Sequence, residues 1–327
     1  MDFANRGQAI DRRAFLAGVA ATAAAGALKI DAQERRPIPI IDTHIHLFDP
    51  NRPQGAPYTG PRAGGTPPIA ALPSRYRRLA MPLGVVGAIE VEASPWIEDN
   101  LWVLEVAQAD TIMVGTVGNL EPEKPEFPEY LERYHKNPLF RGIRYGNLWG
   151  RDFTKQSENP AFINGLKLLA QAGLVLDTAN PRITLLEAVL RITDQVPDLR
   201  VVLDHLPNLE PTEAERPVYQ RLLAEIGQRP EIYVKLSEVI HRVNGQVSTD
   251  VSAYHDRLDD LVGAFGEDRI LFGSDWPNSD GVAPVEQVFA VVKDYFMGKP
   301  RSVQEKYFWK NSVAAYRWVK REPGQPS

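Results

Sequence analysis

The stretch IIDTHIHLFDP, residues 40–50, begins with an apolar pair and continues into two histidines that are one residue apart. Because residues two apart in a β-strand point to the same face, Asp42, His44 and His46 are expected to face the same way. That geometry suits a metal site or a proton-transfer site. It also fits two ordinary half-buried histidines, since imidazole is common in both settings. The rest of the chain has to distinguish the two.

The composition is that of an ordinary globular protein, with 327 residues, 43% hydrophobic and 24% charged, and a formal net charge of −5. This length allows one large domain or two small ones. The chain has no basic stripe, which argues against nucleic acid as a partner. Since cysteine is absent, the sequence excludes disulfides, thiolate-ligated zinc, iron–sulfur clusters and a cysteine nucleophile. Any metal must be held by histidine or oxygen donors.

Residues 1–34 are predicted to form an export signal. The sequence RRAFL at residues 12–16 precedes a weakly apolar Ala/Gly-rich run that is too short to span a bilayer. It resembles a twin-arginine signal, although Asp11 and Ala17 stand where Ser or Thr and Lys are usual. The alternative is a simple N-terminal extension. We expect residues 35–327 to reach the periplasm or the medium, with no stable membrane anchor after processing.

Downstream of this signal the chain alternates short apolar runs with amphipathic helical patterns. The runs are nearly continuous in apolar character, which is typical of strands that are covered on both faces. Eight such strands predict a single-domain (β/α)8 barrel. A doubly wound open sheet is the alternative, but no glycine-rich phosphate loop follows the first strand. The predicted strands are 37–44, 84–93, 112–120, 140–145, 173–178, 200–206, 232–238 and 269–275.

A Pro/Gly-rich segment, residues 51–73, follows the first predicted strand. In a barrel it lies on the catalytic side, where it is either a lid or a tolerated insertion.

Ionisable residues collect at the C-terminal ends of the predicted strands, where enzymes with this fold carry their active sites. Such a concentration is hard to explain as core packing, because unpaired buried charge is costly. Lys235 is ambiguous, since it either points into the barrel or pairs with Asp204. The strand-end set is His44, His46, Glu90, Glu92, Arg144, Asp177, His205, Lys235, Ser237 and Asp275.

Six segments together resemble the amidohydrolase superfamily: DTHIHLFDP, FRGIRYG, VVLDHLPN, IYVKLSEV, ILFGSDWP and WKNSVAAYRW. More narrowly, they resemble its branch of lactonases and decarboxylases, related to sugar-acid lactonases and 2-pyrone-4,6-dicarboxylate lactonase. The resemblance runs in register from about residue 38 to residue 319. It implies a (β/α)8 barrel whose site is built from His44, His46, His205 and Asp275.

The same resemblance limits the metal content. Two-metal members have two further histidines and a bridging lysine on strand four, whereas strand four here reads FRGIRYG. One divalent cation is therefore the most that is implied, with Zn²⁺ as the first candidate and His44, His46 and Asp275 as its ligands. Metal-free catalysis by the histidines stays open. Decarboxylases of the branch carry a histidine at the end of strand five, where this chain has Asp177.

Hydrolysis of a lactone is the expected reaction, on a small-molecule substrate that the sequence does not specify. Asp275 is expected to stay ionised and to take a proton from the attacking water. His205 would polarise the carbonyl or orient that water. Arg144, Glu92 and Asp177 are expected to bind the substrate, with Arg144 receiving a carboxylate. For Arg144 the alternative is an ion pair with a glutamate of strand two.

Two further functions stay open from the sequence. One is decarboxylation of an aromatic or unsaturated acid, and the other is a non-catalytic exported binding protein. The oligomeric state is left open.

Overall fold

The computed structural model describes residues 37–61, 67–243 and 245–327. The predicted signal therefore lies outside the described residues, and export stays a prediction. Residues 39–327 form one compact unit. Among the described helices, none is long and apolar enough to cross a bilayer.

Eight parallel strands pair in chain order and confirm the predicted (β/α)8 barrel. After the last strand, the backbone N–H of Asp275 donates to His44 O (2.9 Å), and that of His46 donates to Trp276 O (2.8 Å). These bonds bring the end of the sheet back to its first strand. The strands are β1 Ile40–Ile45, β2 Val85–Val91, β3 Met113–Gly118, β4 Phe140–Arg144, β5 Val175–Asp177, β6 Arg200–Leu203, β7 Ile232–Leu236 and β8 Ile270–Phe272.

A helix follows each strand and covers its outer face, which is why the strands are apolar along nearly their whole length. Local sequence sets the helix starts. The fourth helix, for example, begins at Pro160, where the Asn159 side chain accepts a hydrogen bond from Ala161 N. The helices are α1 Pro73–Ala80, α2 Asp99–Ala109, α3 Phe127–Tyr134, α4 Pro160–Gln171, α5 Ile183–Gln195, α6 Arg216–Gly227, α7 His255–Phe265 and α8 Val285–Met297.

The C-terminal segment closes the end of the barrel opposite the predicted active face. It consists of a helix at Arg301–Glu305, a π-helical turn at Lys306–Lys310 and a helix at Asn311–Tyr316. Arg200, the first residue of β6, donates from Nε to Ala315 O at 2.9 Å. This contact fixes the last helix against the N-terminal ends of the strands.

Two side-chain contacts fix residues 49–61, which are one described part of the loop after β1. Arg52 forms a bidentate ion pair with Asp99 of α2, with nitrogen–oxygen distances of 2.8 and 3.1 Å. The hydroxyl of Tyr58 donates to Asn278 Oδ1 at 2.5 Å, which joins the loop to the segment after β8. The loop therefore runs over the C-terminal ends of the strands.

Candidate active site

His46 is held in one orientation by the neighbouring strand. Its Nδ1 lies 2.7 Å from Val91 O, so Nδ1 carries the proton and donates it to that carbonyl. Burial and the positive charge of Arg144 lower the pKa of His46 to about 3, so the ring is neutral. Its Nε2 lone pair then points at Asp275 Oδ1, which is 3.1 Å away.

Asp275 is the centre of the histidine cluster. Its Oδ1 lies 3.1 Å from Nε2 of His46, 3.5 Å from Nε2 of His44 and 3.8 Å from Nε2 of His205. Both Asp275 and His205 have left-handed backbones, with φ of 57° and 56°, and both follow the end of a strand. These turns aim the two side chains toward β1.

Burial of Asp275 opposes the sequence-based expectation that this carboxyl stays ionised. Burial raises the pKa of Asp275 well above its usual value and outweighs the opposing effects of His205 and Arg144. The negative charge of Glu238 raises it further. Neutral His44 and His46 add no positive charge that would offset the loss of water.

His44 lies beneath the cluster against a buried network of charges. Its Nδ1 is 3.3 Å from Lys235 Nζ and 3.6 Å from Asp204 Oδ2. Lys235 also contacts Asp204 Oδ1 at 3.0 Å and Asp177 Oδ2 at 2.6 Å. Lys235 thus points into the barrel and also pairs with Asp204, so its two expected roles coincide.

Arg144 and Glu92 form the ion pair that was the alternative to substrate binding. Arg144 Nε lies 3.4 Å from Glu92 Oε1, and Nη2 donates to Glu92 O at 3.1 Å. On its other side, Arg144 Nη1 is 3.9 Å from Asp204 Oδ2. Trp149 Nε1 donates to Glu92 Oε2 at 3.0 Å and completes the set. The guanidinium charge is therefore largely matched within the protein.

A cavity of about 370 Å³ opens above this cluster. Four predicted site residues line it: His46, His205, Arg144 and Glu92. His44 and Asp275 lie just beneath, with 0% and 1% of their surfaces exposed.

Asp177 departs from its expected place on the cavity wall. It is fully buried, and its Oδ2 accepts hydrogen bonds from Lys235 Nζ (2.6 Å) and from the Tyr316 hydroxyl (2.8 Å). Lys235 stands between Asp177 and His44. In the register of β4 and β5, Asp177 lies level with Arg144. Its side chain is short and is covered by Lys235, so this strand-end residue does not reach the cavity.

The sequence did not point to several residues that line the cavity. All of them lie in loops beyond the strand ends, where no periodic pattern marks a side chain as inward-facing. They include Tyr58, Trp149, Asn180, Glu238 and Asn278.

The donor set fits one divalent cation. The ligand atoms of His44, His46 and Asp275 lie within 4.8 Å of one another, and so do those of His205, Glu238 and Asp275. The fixed Nδ1–H bond of His46 leaves Nε2 free as a ligand, the arrangement usual for metal-bound histidine. Nitrogen and carboxylate donors of this kind suit Zn²⁺.

Comparison with known proteins agrees with this architecture. L-fucono-1,5-lactonase of Burkholderia ambifaria is 26% identical over 205 residues, which cover 60% of this chain and 66% of that enzyme. L-fucono-1,5-lactonase of Burkholderia multivorans is 23% identical over 293 residues, which cover 84% of this chain and 94% of that enzyme.

Solved structures share the fold. An amidohydrolase from Burkholderia multivorans with bound zinc has a TM-score of 0.74 at 22% identity, covering 86% of this chain and 100% of that one. The 5-carboxyvanillate decarboxylase of Sphingomonas paucimobilis has a TM-score of 0.60 at 13% identity, with coverages of 86% and 100%. At these identities the two likenesses show the fold alone.

The family assignment rests on the extent of the sequence match. The amidohydrolase family model matches residues 41–318, from the first barrel strand to the C-terminal helix. The match includes all four residues of the central cluster. The chain therefore belongs to the amidohydrolase family.

Proposed function

We propose that this protein is a lactonase, a hydrolase that opens a cyclic ester with water. The observation that carries the proposal is the placement of one carboxyl, Asp275, within 3.1–3.8 Å of three imidazoles beneath a cavity of about 370 Å³. A carboxylate there can take a proton from an attacking water, and N–H donors beside it can stabilise the oxyanion. The amidohydrolase family and the two L-fucono-1,5-lactonase relatives support hydrolysis.

The histidines have different roles in this scheme. Ser237 Oγ lies 2.9 Å from His205 Nδ1, and a hydroxyl proton donated there leaves Nε2 of His205 protonated. His205 is then the N–H donor that faces the cavity. His46, with its proton on Nδ1, instead offers a lone pair at Nε2.

A divalent cation is part of the proposal, held by His44, His46 and Asp275 as the sequence predicted. When bound, it supplies Lewis-acid polarisation of the carbonyl and helps to ionise water. The zinc in the Burkholderia multivorans structure supports this choice of ion.

The charges around the cavity favour an uncharged, hydroxyl-bearing lactone of the sugar-acid type. Arg144 is matched by Glu92 and Asp204, so it has little charge left for a substrate carboxylate. Glu238 and Asp275 add further carboxyl groups beside the cavity. An anionic lactone would be repelled by the carboxylate of Glu238, which lines the cavity. The names of the two lactonase relatives support the same class.

A pH-indicator assay on a panel of lactones tests the activity. The full-length protein should release protons from uncharged aldonolactones faster than from carboxylate-bearing pyrones. Asp275→Asn should lower kcat by about 10²–10⁴-fold, the usual contribution of a positioned general base. Asp280→Asn is the matched control, because Asp280 lies nearby but pairs with Arg75.

Three outcomes would contradict parts of the proposal. Release of CO₂ from aromatic acids without lactone opening would make the protein a decarboxylase. Binding of lactones that survives in Asp275→Asn, with no turnover in the parent, would make it a binding protein. Activity that is unchanged after chelation would remove the cation and leave the histidines acting alone.

The pH profile gives a further check on Asp275. Only the ionised carboxylate can accept a proton, and burial raises the pKa of this group. The ratio kcat/KM should therefore rise with pH across the titration of Asp275. Added Zn²⁺ should move that rise to lower pH, since a nearby cation favours the charged form.

A further inference from the structure

Glu238 has an unusual backbone for its residue type. It lies two residues beyond β7 and has a φ of 50°, in the left-handed region that favours glycine. Side chains with a Cβ adopt this conformation at a cost, and such residues concentrate where function holds them in place. The strained backbone turns the half-buried side chain of Glu238 toward the cavity, which it lines.

Asp275 and Asn208 each form a side-chain hydrogen bond with the carboxyl group of Glu238. Asn208 Nδ2 donates to its Oε2 at 2.5 Å. This donor is a neutral amide, so the bond does not balance the charge of the carboxylate. The ligand atoms of Asp275 and His205 lie within 4.8 Å, which places Glu238 beside the proposed reaction centre.

Neutral side chains line the cavity together with Glu238, among them Asn180, Asn278 and the ring of Trp149. The guanidinium of Arg144, which also lines the cavity, is engaged by Glu92. Glu238 therefore offers a hydrogen-bond acceptor to whatever occupies the cavity. A hydroxyl group is the fitting donor, because a second carboxylate would be repelled.

We propose that Glu238 is a specificity residue, which accepts hydrogen bonds from the hydroxyl groups of the lactone. The inference rests on the proposed lactonase function and identifies the side chain that binds the substrate hydroxyls. A site built to bind substrate hydroxyls discriminates strongly against analogues that lack them. Glu238 should therefore separate hydroxylated lactones from plain ones.

The test compares a hydroxylated six-membered aldonolactone with δ-valerolactone, which has the same ring without hydroxyls. The ratio of their kcat/KM values is measured for the parent and for Glu238→Gln, Glu238→Ala and Glu238→Gly. In Glu238→Ala the ratio should fall at least about tenfold, mainly through KM for the hydroxylated lactone. Glu210→Ala, a change to an exposed side chain of the neighbouring loop, is the matched control.

A stability measurement separates this role from a purely structural one. Glu238→Gly relieves the left-handed backbone and should raise Tm by about 2–4 °C. Glu238→Ala keeps the strain and should not. A higher Tm of Glu238→Gly together with a lower ratio of the two kcat/KM values is expected only if the strained backbone positions Glu238 to bind the substrate.

Two results would overturn the inference. One is an unchanged selectivity ratio in folded Glu238→Ala while the parent hydrolyses both lactones; this leaves the lactonase proposal intact. The other is an equal loss for both lactones together with weaker Zn²⁺ binding in a chelator competition, which would make Glu238 a ligand. If the parent opens no lactone at all, the proposed function itself fails.

Discussion

Lys235 lies below the cavity and supplies positive charge to the buried part of the site. It is fully buried, and its ammonium contacts Asp177, Asp204 and Nδ1 of His44 at 2.6, 3.0 and 3.3 Å. Because an ammonium only donates, the contact with His44 favours a lone pair on Nδ1, whereas Asp204 Oδ2, 3.6 Å from the same nitrogen, favours a proton there and leaves Nε2 free as a ligand atom. One side chain thus neutralises two carboxylates and orients a predicted ligand.

Removal of Lys235 should strongly destabilise the fold. Lys235→Met leaves Asp177 and Asp204 buried without their cation, and loss of one partner of such a pair costs about 3–5 kcal/mol. The double variant Lys235→Met/Asp177→Asn should recover part of that loss. Chemical denaturation of the parent, both single variants and the double variant gives the coupling energy. If Lys235→Met lowers the free energy of unfolding equally in the parent and in Asp177→Asn, the assigned ion pair is contradicted.

The placement of single residues was predictable only where strand geometry determines it. His44, His46 and Asp275 meet because the first and last strands of a closed barrel are neighbours. The depth of Asp177 depends on its short side chain and on its cover by Lys235, and hydrophobic patterning defines neither. Glu238 owes its direction to one left-handed residue, for which the segment KLSEV carries no signal.

At the scale of elements, two loops meet above the cavity. Tyr58, in the loop after β1, lies edge-on to Trp149 of the loop after β4, with ring centroids 6.3 Å apart. Its hydroxyl reaches Asn278, beyond β8. Three segments that are far apart in sequence are therefore joined at the cavity mouth. Of the two expectations for residues 51–73, this contact favours a substrate-covering loop.

Loss of the Tyr58 hydroxyl should weaken the contact between the loops above the cavity without unfolding the barrel. Tyr58→Phe removes the bond to Asn278 while the ring contact stays, so KM should rise several-fold with a small change in kcat. The free energy of unfolding should fall by about 1 kcal/mol or less. Ile69→Ala is the control, since Ile69 belongs to the same segment and is 63% exposed. Steady-state kinetics on the lactone with the highest kcat/KM compares the three proteins. Equal KM values in all three would contradict a substrate-covering loop.

The elements themselves were largely predictable from sequence. Strands covered on both faces need continuous apolar runs. Seven of the eight predicted runs contain the observed strand, and β1 extends one residue beyond its run, to Ile45. The C-terminal segment shows the limit of this approach. The hydrophobic spacing of residues 307–319 predicts one amphipathic helix. In the structure a π-helical turn occupies Lys306–Lys310 and the helix stops at Tyr316. The next residue, Arg317, has a φ of 50°, and hydrophobic spacing does not encode that break.

At the scale of the whole molecule, the barrel encloses an unusual number of acidic groups. Burial is the first cause that raises the pKa of Asp42, Glu90, Glu92 and Asp275. In the unfolded chain these groups ionise near pH 4. Folding therefore favours their protonated forms, and stability from these groups declines as pH rises above that range.

Glu90 provides the cleanest test of this pH dependence. It is 1% exposed, and neither carboxyl oxygen has a hydrogen-bond partner among the described residues. Burial and the charge of Glu92 raise the pKa of Glu90. Glu90→Gln cannot ionise, so it should melt above the parent at pH 8, with a smaller difference at pH 5.

Calorimetry at pH 5 and pH 8 measures the difference in Tm between Glu90→Gln and the parent. The exposed Glu105→Gln is the control, which should show no such widening with pH. Each kcal/mol of relief should raise Tm by about 1–2 °C in a folded unit of this size. A difference that shrinks from pH 5 to pH 8 would contradict the assignment to Glu90.

The contacts of Asp177 link the two ends of the barrel. A hydrogen-bonded row runs from the Tyr316 hydroxyl through Asp177 and Lys235 to His44, with steps of 2.8, 2.6 and 3.3 Å. For protein engineering, this row separates two kinds of change. Exchange of the loops above the strands leaves it intact, so new substrate preferences can be built there. A truncation that removes Tyr316 breaks it, so the C-terminal helix cannot be treated as an inert support for the chemistry.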